Sequence, residues 1–439
     1  MDPHRYIHKY FPDLGINKKR EAARLLYEIS KRDGASLESI LPPRKYDQYK
    51  QIKDRLIQRR YPRTFLDAKT GSFYLPKLEI KPENKADTTR PLFNPRKIII
   101  EDSVCRGALA IRMKRAFPKA KVMLIKSAGN LFNNKNFSIR DYNLRAKTLF
   151  IIRETSDFYK PCPCTKKAFG CGYNVMNLGF GCPYECAYCY LQEYQNVPGI
   201  ILPANLDDFF STFNKSELNK GIFKTPRLGT GEFSDSLVFD HITGFSTQLI
   251  EFFKKYPNVT FEFKTKSTNI GNILKSDAAS NIVISWSINT PHIIKTIEHL
   301  TPALKARLKS AQQCAQAGYK VGFHFDPVIY YKNWEKDYCK TIDLLFDSVG
   351  PKHIAWISIG TLRFFPALKK IIENRFPESK MLDEEMLLGF DGKMRYDERL
   401  RRVIYSKMLG WIKKRAKNVP VYLCMEDRGC ARLSANPLW

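Results

Sequence analysis

Three cysteines sit at offsets of four and three in Gly181-Cys182-Pro183-Tyr184-Glu185-Cys186-Ala187-Tyr188-Cys189-Tyr190-Leu191-Gln192, with an aromatic residue just before the last. Cysteine thiolates are the usual protein ligands of iron–sulfur clusters, and a tight loop can bring three of them onto one face of a cube. Three thiolates leave one iron of a four-iron cluster without a protein ligand, free to take an external molecule. That open corner separates a reactive cluster from one that only passes electrons. The competing readings are a zinc knuckle and three buried thiols. Structural zinc takes four ligands, usually in two pairs, and no fourth ligand lies at finger-like spacing downstream.

The pattern Cys-x3-Cys-x-aromatic-Cys resembles the signature of the radical SAM superfamily. In that superfamily the amino and carboxylate groups of S-adenosylmethionine (SAM) chelate the fourth iron, and an electron from the cluster splits the sulfonium to give a 5′-deoxyadenosyl radical. The resemblance implies a [4Fe-4S] cluster on Cys182, Cys186 and Cys189, with SAM as the second cofactor. Those groups carry the hard chemistry, and the protein binds and orients them. An electron donor such as flavodoxin or ferredoxin is implied as well.

The elements that position this loop follow from periodicity. Strands are expected at 173–179, 226–232, 259–265, 282–288, 319–326 and 353–359, and helices at 186–196, 240–255, 268–276, 301–317, 335–347 and 365–375. Six βα repeats predict a parallel sheet with covering helices, which the superfamily resemblance makes a partial (βα)6 barrel. Parallel βα enzymes carry their sites at the C-terminal ends of the strands, and the cysteine loop directly follows the first strand. The fold class is therefore α/β: a partial barrel over 161–380, an N-terminal α/β cap over 95–160 and a C-terminal helix/strand tail over 381–439. The cap reads as a strand at Ile98-Ile99-Ile100, a helix over 106–117, a strand at Val122-Met123-Leu124-Ile125, a polar loop over 130–143 and an apolar run over 148–152. The tail reads as a basic helix, a short strand over 419–423 and a cysteine-containing end.

Residues 1–75 form a basic helical extension, and 76–94, rich in Pro and Lys, a linker. One helix is capped at Asn17 and stops near Gly34; another follows Pro43 and ends near Tyr61-Pro62, bearing Lys50, Lys53, Arg55, Arg59 and Arg60. The primary reading is an accessory bundle packed on the core. The alternative is a helix-turn-helix-like nucleic-acid module.

Length, at 439 residues, suggests about two or three domains. Apolar content of 44% supplies a core, while no run approaches the roughly 18 apolar residues of a membrane span. The polar start Met1-Asp2-Pro3-His4-Arg5-Tyr6 lacks a signal-peptide core. Eleven cysteines without an export signal then argue for reduced, metal-binding thiols over disulfides. A cytoplasmic protein with no membrane association is expected. The formal charge of +29, from 73 Lys+Arg against 44 Asp+Glu, attracts polyanions. Nucleic acid is the first candidate partner, a merely basic soluble surface the alternative.

Around the cysteines the resemblance narrows. Tyr188-Cys189-Tyr190-Leu191-Gln192 resembles the Tyr-Cys-Tyr-Leu-Gln of the spore photoproduct lyase family, radical SAM enzymes that reverse a UV-induced thymine dimer. Similar stretches follow in order: Asn205-Leu206-Asp207-Asp208, Ser234-Asp235, Thr265-Lys266, Trp286-Ser287-Ile288-Asn289, Ala317-Gly318-Tyr319-Lys320-Val321-Gly322-Phe323, Trp334-Glu335 and Gly392-Lys393. They span roughly 95–420 and leave the N-terminal helices outside.

That resemblance implies roles residue by residue. Tyr188 would lie against the adenine; Ser234, Lys266 and Ser287 would contact the methionyl part or ribose of SAM. An ammonium suits a carboxylate, and hydroxyls orient polar neighbours. Gly229-Thr230-Gly231-Glu232 is similar to the Gly-Gly-Glu element that takes the SAM amino group, a carboxylate facing an ammonium where glycine permits close approach. Here the sequence departs from the family. Where Glu232 aligns, spore photoproduct lyases carry a cysteine that returns a hydrogen atom to the thymine radical, and a carboxylic O–H bond is too strong for that task. Tyr190 and Cys424 are the substitute candidates. His324 and Asp326, in Gly322-Phe323-His324-Phe325-Asp326-Pro327, replace small apolar residues of the family pattern. Polar groups at that strand end point to a site adapted for another substrate.

Cys162, Cys164 and Cys171 lie upstream of the loop, and Cys424 and Cys430 near the C-terminus. Cys162, Cys164, Cys171 and Cys424 are the candidate ligands of an auxiliary iron–sulfur cluster or zinc; core thiols are the alternative. Cys105, Cys314 and Cys339 read as packing residues. The resulting expectation is a lyase-like radical SAM enzyme acting on nucleic acid, with DNA carrying a spore photoproduct-like lesion as first substrate. Extruding a lesion from a duplex costs about a few kcal/mol, and phosphate contacts offset it. Radical SAM modification of RNA, a nucleotide or another substrate is the alternative that Glu232, His324 and Asp326 favour. A nucleic-acid-binding protein with a structural or redox-sensing cluster is a second. The oligomeric state is not encoded legibly.

Overall fold

Short apolar runs alternating with helical stretches must bury both faces of the sheet they form, which favours parallel strands under helices. The computed structural model describes residues 2–44, 46–66, 73–129, 137–155, 158–164, 172–216, 226–427 and 429–430. In it six parallel strands follow one another in space as in sequence: Tyr173–Met176, Arg227–Thr230, Thr260–Thr265, Ile282–Ser287, Lys320–Val328 and Ile354–Thr361. The register places Trp286 opposite both Thr265 and Phe323. Val421–Leu423 adds a further parallel strand beside Ile354–Thr361, and Tyr159–Pro161 an antiparallel one beside Tyr173–Met176. The expected partial (βα)6 barrel is present. Helices Leu304–Gln316, Trp334–Ser348 and Pro366–Arg375 accompany its later strands.

Three expected helices differ, each for a local reason. The stretch 240–255 breaks at Gly244, whose φ of 62° ends Asp240–Thr243 before Phe245–Phe253 begins. Over 268–276 only the 3-10 turn Ile273–Lys275 forms. The Ser267 and Asn269 N–H groups donate to the side chains of Thr265 and Ser267 two residues back, the kind of local bond that competes with helix, and Asn269 and Asn272 tie the segment to the carbonyls of Val238 and Asp240. The stretch 186–196 keeps only Leu191–Tyr194, because the amide of Gln192 holds the irregular cysteine loop by its carbonyls at Ala187 and Cys189, both at 2.9 Å.

The cap is a parallel sheet in the order Lys121–Ile125, Lys97–Glu101, Thr148–Ile152, Ile200–Pro203. Its last strand comes from beyond the cysteine loop. The chain leaves the cap, makes the first barrel strand, turns through the cysteines and returns. Within 130–143, Ile139–Asn143 is a short helix started by a capping box of Ser138 and Asp141, and residues 130–136 lie outside the described set.

Helices Pro3–Tyr10, Ile16–Asp33, Leu37–Ile40 and Tyr49–Arg60 form an accessory bundle with its own core, in which Tyr6, Leu26, Ile29 and Leu56 are fully buried. Gly34, at φ 68°, ends the second of them. Charge ties the bundle to the barrel. Glu28 accepts from Arg24 and Arg60 at 2.8 Å and from Lys369 at 2.7 Å, and Arg24 also donates to both oxygens of Glu373 at 2.7 and 2.9 Å. Burial pushes the Glu28 carboxyl up, but Lys369, Arg60 and Arg24 outweigh it and hold it well below the usual range. No helix among the described residues is long and apolar enough to cross a membrane.

Arg24→Met strands the Glu373 carboxylate in a buried position, and we expect a loss of about 3–5 kcal/mol in urea unfolding at pH 7. Since the folded-state pKa of Glu28 is depressed, its stabilisation is complete above the unfolded value of ~4.3 and is lost as the pH falls below it. The difference between wild type and variant should therefore shrink below about pH 4.

Candidate functional site

Glycine makes the entry to the cysteine loop. Gly179 has φ 125°, and a Cβ there would stand 2.4 Å from the carbonyl oxygen of Ile201. Gly181, at φ 94°, donates its N–H to Phe233 at 2.8 Å. The loop is thereby stitched to the cap on one side and to the turn after the second barrel strand on the other, at the C-terminal ends of the strands.

Glu185, between the first two cysteines, is buried and accepts from Arg90 at 2.8 Å, Arg145 at 2.9 Å and Arg375 at 2.5 Å. Burial pushes its carboxyl up, but Arg145 and Arg375, then Arg90, pull it down to about 2. Arg145 also donates to the carbonyls of Cys182 at 2.9 Å and Tyr184 at 2.6 Å, so it grips the loop backbone directly. Cys186 pairs through its backbone with Glu298.

Burial pushes the Cys182 thiol up to about 12, Cys186 well above its ordinary value and Cys189 upward. Cys182 and Cys189 raise Cys186 further through their charges, which marks the three as neighbours. Among the described residues no three His, Cys, Asp or Glu side chains converge on a single ion. A cube takes one thiolate per iron and so spreads its ligands. Three cysteines on one irregular loop, Cys186 buried and Cys182 and Cys189 half-buried, fit the thiolate ligation of a cluster.

Charged groups surround the loop. Tyr188 donates its hydroxyl to Glu298, which Arg307 meets at 2.7 Å. The Lys266 ammonium stands 5.7 Å from the Tyr188 ring centroid. Burial lowers its pKa, but Glu298 and Cys186 outweigh that and raise it, keeping the cation charged. Asp235 fixes the lysine backbone by accepting from Lys266 N at 2.6 Å and Thr265 Oγ1 at 2.5 Å. A narrow crevice runs between Met176–Gly179 and the turn carrying Gly231, Glu232 and Ser234. Ser287 is buried at its strand end, its carbonyl accepting from Arg307 at 2.9 Å.

The remaining expected residues fall deeper or to one side. Glu232 pairs with Lys160 at 2.9 Å, and Tyr190 donates its hydroxyl to the Glu232 carbonyl. His324 is buried with Nδ1 on Ser358 at 2.6 Å and Nε2 on Glu262 at 2.7 Å, so both nitrogens are occupied inside the barrel. Asp326 is held by both terminal nitrogens of Arg363 at 2.9 and 3.1 Å. Cys424 Sγ lies 3.6 Å from Arg363, and the sulfurs of Cys162 and Cys164 lie 3.6 Å apart. Cys171 lies outside the described residues. Glu185, Glu298, Arg145, Arg307 and Lys160 were not singled out by sequence reasoning. Their only signal is charge inside otherwise apolar segments, and that does not name a partner.

The side-chain hydrogen bond between Cys164 and Cys162, aided by Arg363 and Lys393 against burial, pulls the Cys164 thiol down to about 7. In the cluster-free protein, iodoacetamide should label Cys164 with a midpoint near pH 7 while the loop cysteines react only in stronger alkali. Equal labelling of all four at neutral pH would contradict this.

The family model described as "SPL: Spore photoproduct lyase" matches residues 93–404. The chain is 32% identical over 211 residues to the spore photoproduct lyase of Clostridium acetobutylicum, covering 47% of this chain and 61% of that protein. It therefore spans about six-tenths of that relative's length. To the Bacillus subtilis enzyme it is 28% identical over 253 residues, 56% of this chain and 71% of that one. A solved spore photoproduct lyase variant with bound AdoMet and dinucleoside spore photoproduct superposes with a TM-score of 0.66 at 24% identity, covering 76% of this chain and 100% of the other. A likeness of that degree is one of fold.

Proposed function

Since this chain belongs to the spore photoproduct lyase family, we propose that it is a radical SAM lyase that restores thymines from a spore photoproduct-type lesion in DNA. The observation that carries this reading is the trio Cys182, Cys186 and Cys189 on one loop at the strand ends, Cys186 buried and the other two half-buried, beside Lys266, Glu298 and Asp235. When bound, the cluster and SAM supply the 5′-deoxyadenosyl radical.

The chain's own residues bind, orient and shield. Lys266 offers a charged ammonium to the SAM carboxylate, and Glu298 fixes the Tyr188 ring for the adenine. Ser234, Gly231 and Ser287 line the methionyl and ribose side, and Glu232 takes the amino group only by exchanging Lys160 for it. His324 has no free nitrogen and supports the wall. Asp326 holds Arg363, a guanidinium suited to a lesion phosphate. The basic surface takes up DNA through its phosphates. A small electron carrier, flavodoxin or ferredoxin, supplies the electron in a reducing cytoplasm.

For the hydrogen donor we assign Cys162. It lies two residues beyond Lys160, whose ammonium reaches Glu232 at 2.9 Å, and the Tyr190 hydroxyl donates to the Glu232 carbonyl, so the thiol stands on the strand tied to that turn. An S–H bond is weak enough to give up a hydrogen atom. Cys162, Cys164 and Cys424 serve here as thiols in place of the auxiliary-cluster reading.

Anaerobic reconstituted protein given SAM, dithionite and a dinucleoside spore photoproduct should form 5′-deoxyadenosine and release thymine. Cys186→Ala should abolish both, and Cys162→Ala should keep the nucleoside while thymine recovery drops at least tenfold. 5′-Deoxyadenosine without restored thymine from wild type would discard the lesion and favour the second reading, a different nucleic-acid substrate, which Glu232 at the donor position supports.

A further inference from the structure

The N-terminal helices lie outside the family match, yet two routes connect them to one carboxylate beneath the cysteine loop. The first is helix Pro366–Arg375. Lys369 and Glu373, one turn apart, engage Glu28 and Arg24 of the bundle, and Arg375 at the end of the same helix reaches Glu185 at 2.5 Å and the side chain of Gln192. The second is the segment 79–90 that leaves the bundle. Asn374 ties it to that helix, donating to the carbonyl of Glu79 at 2.7 Å and accepting from Lys81 N at 2.9 Å, and Ala86 N donates to Arg375 at 2.9 Å. It ends with Arg90 on Glu185 at 2.8 Å and on the Pro183 carbonyl at 2.7 Å.

Both routes terminate on the same side chain and occupy both its oxygens: Oε1 by Arg90 and Arg145, Oε2 by Arg375. Glu185 and Arg145 are sealed from solvent, and Arg145 passes the constraint to the Cys182 carbonyl. Three guanidinium groups face one carboxylate here, so the field at the loop is positive and Glu185 tempers it. Neither route belongs to SAM or substrate binding.

We propose that Glu185 is a positioning residue for the cysteine loop, and that the N-terminal helices set it through helix Pro366–Arg375 and the segment 79–90. The proposal rests on Cys182, Cys186 and Cys189 being cluster ligands. A reduced cluster carries one more negative charge than an oxidised one. Removing the Glu185 charge therefore favours reduction, and removing a guanidinium disfavours it.

The test is an EPR redox titration of the full-length reconstituted protein, with and without SAM, beside an iron count. Glu185→Gln should shift the midpoint potential upward and Arg90→Met downward. Opposite signs mark charge and position, whereas simple loosening of the loop would move both the same way. Arg90 is partly exposed on the segment 79–90, with 12% of its side chain accessible, so it carries the sign test should Glu185→Gln not fold. Glu373→Gln, in the distant interface, should keep four irons per chain yet change the line shape of the SAM-bound reduced cluster. Shifts of one sign, or no shifts, overturn the role of Glu185. A wild-type spectrum from Glu373→Gln overturns the coupling to the helices. A wild-type protein that takes up no iron overturns the ligand reading itself, and the proposal with it.

Discussion

A carboxylate taken out of water must be met by cations or give up its charge, and that constraint sets how the parts of this protein dock. Two such carboxylates, Glu28 and Glu185, lie at either end of helix Pro366–Arg375, each held by three cationic side chains. Apolar surfaces tolerate small slips, because burial is non-directional. A guanidinium fork does not. The helix is thus fixed in rotation and in height by its two ends, and the bundle, the barrel and the cysteine loop are brought into one register.

The barrel interior shows the same logic along its strands. Side chains two apart share a face, so Glu262, Lys264 and Lys266 point inward from one strand, and His324 and Asp326 from another. The deeper level is closed on itself: Glu262 joins His324 to Arg227, whose guanidinium stacks 4.0 Å from the Trp356 ring. One step nearer the mouth, Asp326 meets Arg363, and Gly360 makes the room, since a Cβ there would lie 2.6 Å from Asp326 Oδ1. The last level carries Lys266, Ser287 and the cysteine loop. A closed base keeps the wall rigid beneath that level.

Much of this was legible in the sequence, for identifiable reasons. The later barrel strands, such as Ile282–Ser287 and Ile354–Thr361, were readable as β-branched and aromatic runs between helical stretches, and the three cysteines because their spacing is itself a loop geometry. The stretch 186–196 was read as helix from its composition. The loop overrode that preference by turning the Gln192 side chain back onto its own carbonyls. Glu185 was the least legible residue of all. Its partners Arg145 and Arg375 stand 40 and 190 positions away, and no local pattern announces an ion pair of that separation. The fourth cap strand, Ile200–Pro203, was hidden for a similar reason, being a local apolar run whose partner strand precedes the loop.

The departure at Glu232 is tied to its surroundings. Its carboxylate is neutralised by Lys160, whose ammonium also lies 4.1 Å from the Phe233 ring centroid. Lys160 belongs to the edge strand Tyr159–Pro161, and the next residues are Cys162, Pro163 and Cys164. Prolines at 161 and 163 narrow the backbone there, and Cys162 N is held by Tyr173 at 2.8 Å. The ion pair that satisfies Glu232 thus also fixes the strand that presents the two thiols.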